Sequence, residues 1–286
     1  MLKKSTLQLL RFHFSIFLMP IYWFALSQTT NIYWIDAITV FIILHVLVYP
    51  ASNGYNSYMD RDTGSIGGIE HPMQPTRELY YTTLLLDALA LILSLTLSIY
   101  FFIGILSFIC ASRAYSYRGI RLKQYPFLGF FTVIFFQGAV TYFLVKHGSS
   151  VEKYTNFSYV AMLASLFLVG GFYPLTQIYQ HEQDKADGVK TISSVLGYKG
   201  TFAFTAAIYG IAIGCLALYF ASNLELGRFF VFQLFMLPVL VYFVWWYLAV
   251  AKNTDNANYK NTMRMNLIAA ICTNAAFITI LILDKY

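Results

Sequence analysis

Two stretches of this 286-residue chain carry amides and carboxylates at helical spacing directly after an apolar run. In the first, HVLVYPASNGYNSYMDRDTGSIGG, the residues His45, Tyr49, Ser52, Asn56 and Asp60 advance by three or four and share one stripe of a helix. Asp62, Gly64, Gly67 and Gly68 follow. In the second, TQIYQHEQDKADGVKT, the residues Gln177, Gln180, Asp184 and Asp187 repeat that spacing. Carboxylates joined by amide oxygens, with no paired His or Cys, suit a hard cation such as Mg²⁺. Asn56, Asp60 and Asp184 are the leading candidate ligands, with Asp62, Gln180 and Asp187 as further ones. Mg²⁺ held by few carboxylates completes its shell with water and phosphate oxygens. Arg61, Arg77, Arg121, Lys123 and Lys190 lie near these stretches in sequence and are able to take the remaining phosphate charge. The implied chemistry is binding, and departure, of a diphosphate.

The elements that position these residues are set by composition. The chain is 58% apolar, 19% aromatic and 11% charged, far from a soluble average. Apolar runs of about 20 residues match a hydrocarbon layer of roughly 30 Å. Nine such runs are read, over 7–27, 34–56, 81–101, 103–117, 127–146, 158–180, 200–221, 228–250 and 265–283. The third and fourth are divided near Gly104, because one helix over that whole stretch would be too long to span. The first run lacks a small-residue cleavage site and is kept as a helix. Cys110, Cys215 and Cys272 show no ligand spacing. The expected fold is all-α: nine transmembrane helices in one bundle, a single domain over 1–286, around a central apolar cavity.

With the N-terminus cytoplasmic, fifteen of the 19 basic residues fall on the inner side. Only Lys146, Lys153, Arg228 and Lys285 fall outside. Such asymmetry supports both the span count and the orientation. The net charge of +6 is then explained by a cytoplasmic face beside anionic membrane lipid, without nucleic acid. The chain is expected to be an integral multi-pass protein of a bacterial inner membrane, with both polar clusters at the cytoplasmic side.

Asn56-x-x-x-Asp60, then Tyr115-Ser116 leading to Arg121-Leu122-Lys123 and Pro126, then Asp184-x-x-x-Gly188-x-x-Thr191 together resemble the UbiA superfamily of intramembrane prenyltransferases over nearly the whole chain. The resemblance implies a polyprenyl diphosphate bound through Mg²⁺ on two acidic motifs. Its prenyl group would be transferred to an aromatic or other lipophilic acceptor, with quinone biosynthesis as one setting. It implies catalytic roles for Asn56, Asp60 and Asp184, and diphosphate contacts from Tyr115, Arg77, Arg121, Lys123 and Lys190. Three carboxylate positions of the family pattern fall on Ser57, Gly64 and Gln180, with Asp62, Glu182 and Asp187 within a turn of them. Two other readings share the scaffold: a terpene cyclase acting on a prenyl diphosphate, and a non-catalytic lipid-binding or transport protein. Outside this set, His45 and His181 are read as hydrogen-bonded helix residues and Gly67 and Gly68 as turn formers. Asp36 and Asp87 are isolated and receive no role.

Overall fold

A computed structural model describes residues 2–285. Among the described residues, eight helices are long and apolar enough to cross a membrane, and a bent pair supplies a ninth span. The bent pair, α1, joins Lys4–Phe17 to Met19–Ser27 at 41°. The others are α2 (Trp34–Asp60), α3 (Arg77–Leu95), α4 (Ile99–Ser116), α5 (Pro126–Ser149), α6 (Tyr159–Ala186), α7 (Ile192–Ser222), α8 (Leu226–Lys252) and α9 (Tyr259–Asp284). Backbone polar groups have no water to bond in hydrocarbon, so an apolar chain of this kind satisfies them within helices. The outer-side assignment of Lys285 concerns a side chain outside the described residues.

The boundary between the third and fourth spans is corrected. The break falls at 96–98, because Ser98 caps α4 with its Oγ accepting from the Phe101 N–H. Gly104 lies inside α4, where an added Cβ would come within 2.6 Å of Leu144 on α5. It is a packing glycine, not a loop. The seventh span also starts earlier than its apolar run, because the Thr191 hydroxyl accepts from the Ser194 N–H and caps the helix at Ile192. Gly197, at φ 67°, bends it before the fully apolar part begins.

Neighbours in sequence pack as neighbours in space. α2 packs on α3, α3 on α4, α6 on α7, α7 on α8 and α8 on α9, and α9 returns to the second half of α1 to close the bundle. At the end away from the two polar stretches, the interior is filled by buried aromatic rings. Phe24 stacks on Phe277 at 4.7 Å and tilts against Tyr142 at 5.3 Å, while Phe232 lies 5.0 Å from Phe277. The main cavity opens toward the opposite end. Departures from regular α geometry line that space: α1 breaks at Arg11 (φ 50°), α5 widens over Phe135–Val140, and α6 tightens over Tyr173–Gln180; α2 also widens, over Ile42–Val48, and α7 bends at Gly197. Such irregular turns re-aim side chains toward the interior.

Candidate active site

The departures surround a cavity of about 310 Å³. Its mouth is polar, with Asn53, Asn56, Asp60 and Asp62 from α2 and its following loop, and Gln177, Gln180, Asp184 and Asp187 from α6 and just beyond. Its depth is largely apolar, with Phe17, Ile21, Phe108, Phe136, Leu168 and Phe172 among its walls. Both sequence stripes therefore face one space.

Along α2 each polar side chain of the stripe meets a partner from another element. His45 Nδ1 lies 2.7 Å from Ser15 Oγ on α1, and the Tyr49 hydroxyl 3.2 Å from Thr141 Oγ1 on α5. Ser52 and Ser112 hydroxyls are 2.6 Å apart, and Ser116 Oγ donates to Asn56 Oδ1 at 2.8 Å. Asp60 ends the series with Lys123 Nζ at 2.5 Å from its Oδ2, and Arg121 at 3.9 Å from Oδ1. His45 and Tyr49 are packing groups below the cavity, whereas Ser52, Asn56 and Asp60 line it.

The loop after α2 is tied to both sides of the mouth. Arg11 donates from Nη1 to Gly67 O and from Nη2 to Asn53 O, each at 3.2 Å. From α6, Gln180 Nε2 donates to Ser65 O at 3.2 Å and Gln183 Nε2 to Asp62 Oδ1 at 2.7 Å. Gly64 matters here: a Cβ at this position would come within 2.7 Å of Gln183 Oε1. The space that an acidic side chain at Gly64 would need is occupied by Gln183 of α6. At Gln180 an amide reaches a backbone carbonyl, and Ser57 is buried with its hydroxyl unpartnered. Asp62 does turn into the cavity, where burial and then the neighbouring Asp60 charge raise its carboxyl above the ordinary carboxylate range, while Lys123 and Arg11 pull it back.

The remaining sequence candidates divide clearly. Tyr115 lines the cavity with its hydroxyl bonded to Tyr173, whose oxygen also accepts from Gln177 Nε2 at 2.9 Å. Arg121 bridges Asp60 and Asp187 at the rim. Arg77 and Lys190 are exposed and are not brought to the cavity. Glu182 is exposed as well, and His181 is held by Ser193 Oγ at 2.8 Å. Arg11, Tyr173, Tyr179 and Gln183 line the cavity without having been singled out from sequence. Arg11 had a signal available, since a charge inside an apolar run is a functional candidate by default.

Among the described residues no three Asp, Glu, His or Cys side chains form a preformed metal cluster. The oxygens present still fit Mg²⁺. Asp60 Oδ1 and Asp184 Oδ2 are buried without a hydrogen-bond partner, and Mg²⁺ takes one or two carboxylates before filling its shell with water and phosphate oxygens.

A model of the UbiA prenyltransferase family matches residues 17–268. The chain belongs to this family. The match makes it an integral, multi-pass membrane protein of a prenyltransferase family. A UbiA homologue from Archaeoglobus fulgidus, solved with DMAPP and Mg²⁺, has a TM-score of 0.72 to this UbiA chain at 18% identity, over 97% of this chain and 99% of that one. An apo UbiA homologue from Aeropyrum pernix K1 gives 0.68 at 18% identity, over 94% and 98%. A digeranylgeranylglyceryl phosphate synthase gives 0.61 at 17% identity, over 98% and 97%. At such identities the likeness establishes the fold alone. Comparison with curated proteins returns no match.

Proposed function

We propose that this chain transfers a prenyl group from a prenyl diphosphate to a lipophilic acceptor inside the membrane, at a site open to the cytoplasm. One observation carries the reading. Two buried carboxylate oxygens, Asp60 Oδ1 and Asp184 Oδ2, lack a hydrogen-bond partner at the polar mouth of a cavity whose depth is apolar. An amphiphile with an anionic head and a prenyl tail fits that division, and the family supplies the reaction class.

Asp60, Asp184 and Asn56 would hold Mg²⁺, with Asp62 and Asp187 at the same mouth. When bound, the metal stabilises negative charge developing on the leaving diphosphate. Lys123 and Arg121 sit beside Asp60 as fixed cations for the same charge, and the Tyr115 hydroxyl adds a donor. The apolar walls hold the tail and keep water from the reacting carbon. The aromatic plug limits how deep that tail reaches. The DMAPP and Mg²⁺ of the Archaeoglobus fulgidus homologue support this choice of ligands.

Diphosphate release from prenyl diphosphates by the purified chain tests the reading. Asp60→Asn and Asp184→Asn are each expected to lower the rate by about 10²-fold or more, given what one group stabilising transition-state charge contributes. Chelation of divalent metal should do the same. Full activity in the double variant would overturn it, and a cyclic product formed without acceptor would replace transfer by cyclisation.

A further inference from the structure

We infer that Ser116 is a positioning residue for Asn56: its buried hydroxyl holds the oxygen edge of the Asn56 carboxamide in place for a divalent cation, from a helix register that the Asp87–Arg113 pair secures outside the cavity. This rests on the prenyltransferase reading, in which Asn56 holds Mg²⁺, and adds the residue that makes its amide a ready ligand. Ser116 is 2% exposed and lines the cavity together with Asn56. Its Oγ donates to Asn56 Oδ1 at 2.8 Å, and among the described residues this is the one hydrogen bond that the Asn56 side chain makes. A carboxamide has an acceptor oxygen on one edge and a donor NH₂ on the other, and only the oxygen can hold a cation. Ser116 occupies one lone pair of that oxygen and leaves the second on offer. Without Ser116, either edge is free to face the mouth.

The bond departs from what helical hydroxyls ordinarily do. Thr82, Ser94 and Ser165 each donate back to the carbonyl four residues earlier, the default for a hydroxyl inside a helix. Ser112 and Ser116, one turn apart on α4, instead meet Ser52 and Asn56, one turn apart on α2, at 2.6 and 2.8 Å. The rings of Tyr49 and Phe108, 5.8 Å apart, continue the same seam one turn deeper. The two helices therefore run parallel and in register along the seam. A slip of one residue would shift α4 by about 1.5 Å and open both hydroxyl contacts.

Ser116 is the last residue of α4, since Tyr117 leaves the helix at ψ 124°, and helix ends fray unless something holds them. Arg113 holds this one from the other side of the seam. Its Nε donates to Asp87 Oδ2 at 3.0 Å on α3, and its Nη1 and Nη2 donate to Thr83 Oγ1 and O at 3.2 and 3.3 Å. Its guanidinium lies 3.9 Å over the ring of Tyr55, the residue before Asn56. One planar fork thus ties α4 to α3 and stacks it on α2, which a flexible ammonium would not do. Neither Arg113 nor Asp87 lines the cavity, so the pair reaches the mouth through the seam.

The test titrates the purified full chain in detergent with Mn²⁺ and follows the paramagnetic resonance signal of the free ion, Mn²⁺ standing in for Mg²⁺ as a hard cation with oxygen ligands. Ser116→Ala should weaken Mn²⁺ binding about fivefold, what one hydrogen bond contributes. In an Asn56→Asp background, whose two equivalent oxygens leave no edge to choose, the same change should cost less than about twofold. Asp87→Leu combined with Arg113→Leu should weaken Mn²⁺ binding by a similar factor and add little on top of Ser116→Ala, because both act through one contact. Unchanged Mn²⁺ binding in Ser116→Ala, or no binding by the natural chain, would overturn the proposal. So would an equal loss in both backgrounds, the mark of a merely structural role, or fully additive losses from Ser116 and the ion pair. Ser116→Cys, a weak donor of similar size, replaces Ser116→Ala should that variant fail to fold. Diphosphate release from dimethylallyl diphosphate is measured on the same preparations. Release with Mn²⁺ binding untouched by Ser116→Ala defeats this inference alone, whereas the expected Mn²⁺ pattern without release defeats the transferase reading and leaves the positioning of Asn56 standing.

Discussion

At Asp62 the charge opposes the fold. Its carboxyl is raised by burial and by Asp60, so the folded chain binds a proton at Asp62 more tightly than the unfolded chain does. The stability tied to that group is complete below its unfolded pKa and is lost as pH rises through the raised native pKa. Asp62→Asn removes the penalty while leaving an oxygen to accept from Gln183. The variant is expected to match the natural chain in acid and to melt higher by roughly 1–2 °C at neutral pH. Thermal unfolding of both chains across the carboxylate range and above checks this, and a gap that closes as pH rises would be the wrong sign. Asp60 and Asp184 were legible in the sequence because spacing alone puts them on stripes that end at one membrane surface. Gln183 was not, since its role depends on Gly64 leaving room across the mouth. Arg77 and Lys190 show the converse, for basic residues near a motif also serve as ordinary loop charges, and only the folded arrangement tells the two apart.

Individual helices were readable because each must hide its own backbone polar groups, and a run of the right length does so by itself. Their internal irregularities were not, because these depend on what packs alongside. Gly138 illustrates the point within the widened turn of α5. A Cβ there would lie 2.6 Å from Leu166 Cα and 2.7 Å from Ser165 O on α6, and neither backbone atom can step aside. Gly138→Ala should therefore destabilise the protein by about 1–3 kcal/mol, as overpacking does. Gly214→Ala, whose Cβ meets nothing within 4 Å, is expected to be neutral or slightly stabilising. Melting of the two variants in detergent separates them, and equal midpoints would remove the close α5–α6 contact from the account. Asp87, isolated in the sequence, is likewise explained by a neighbour: Arg113 of α4 pairs with it and lies 3.9 Å over the Tyr55 ring of α2. Breaking this pair with Arg113→Leu should cost about 3 kcal/mol, because it strands a buried carboxylate. The double variant with Asp87→Leu should recover much of that loss, and a double variant no better than the single would show that the pair carries no coupling.

At the scale of the whole molecule, a plug of aromatic rings closes one end of the bundle and a polar mouth opens the other, so the side on which the mouth lies decides where the proposed diphosphate substrate would be bound and released. Charge is the property of the sequence that speaks to this. Placing the mouth inside gathers fifteen of the 19 basic residues on the cytoplasmic side, and the opposite orientation would leave that excess outside. The bundle itself is indifferent, since helix packing is the same whichever way the protein is inserted, and for that reason the fold was legible from apolar runs while orientation needs a separate measurement. Val151, 60% exposed in the loop between α5 and α6, and Lys252, exposed at the end of α8, mark opposite ends of the bundle. With Val151→Cys and Lys252→Cys made separately, a membrane-impermeant maleimide should label the first only in right-side-out vesicles and the second only in inside-out ones. The reverse pattern would place the mouth outside, where the cytoplasmic diphosphate pool does not reach it. It would also put Lys123, Asp60 and Asp184 on the wrong side of the bilayer for the proposed reaction.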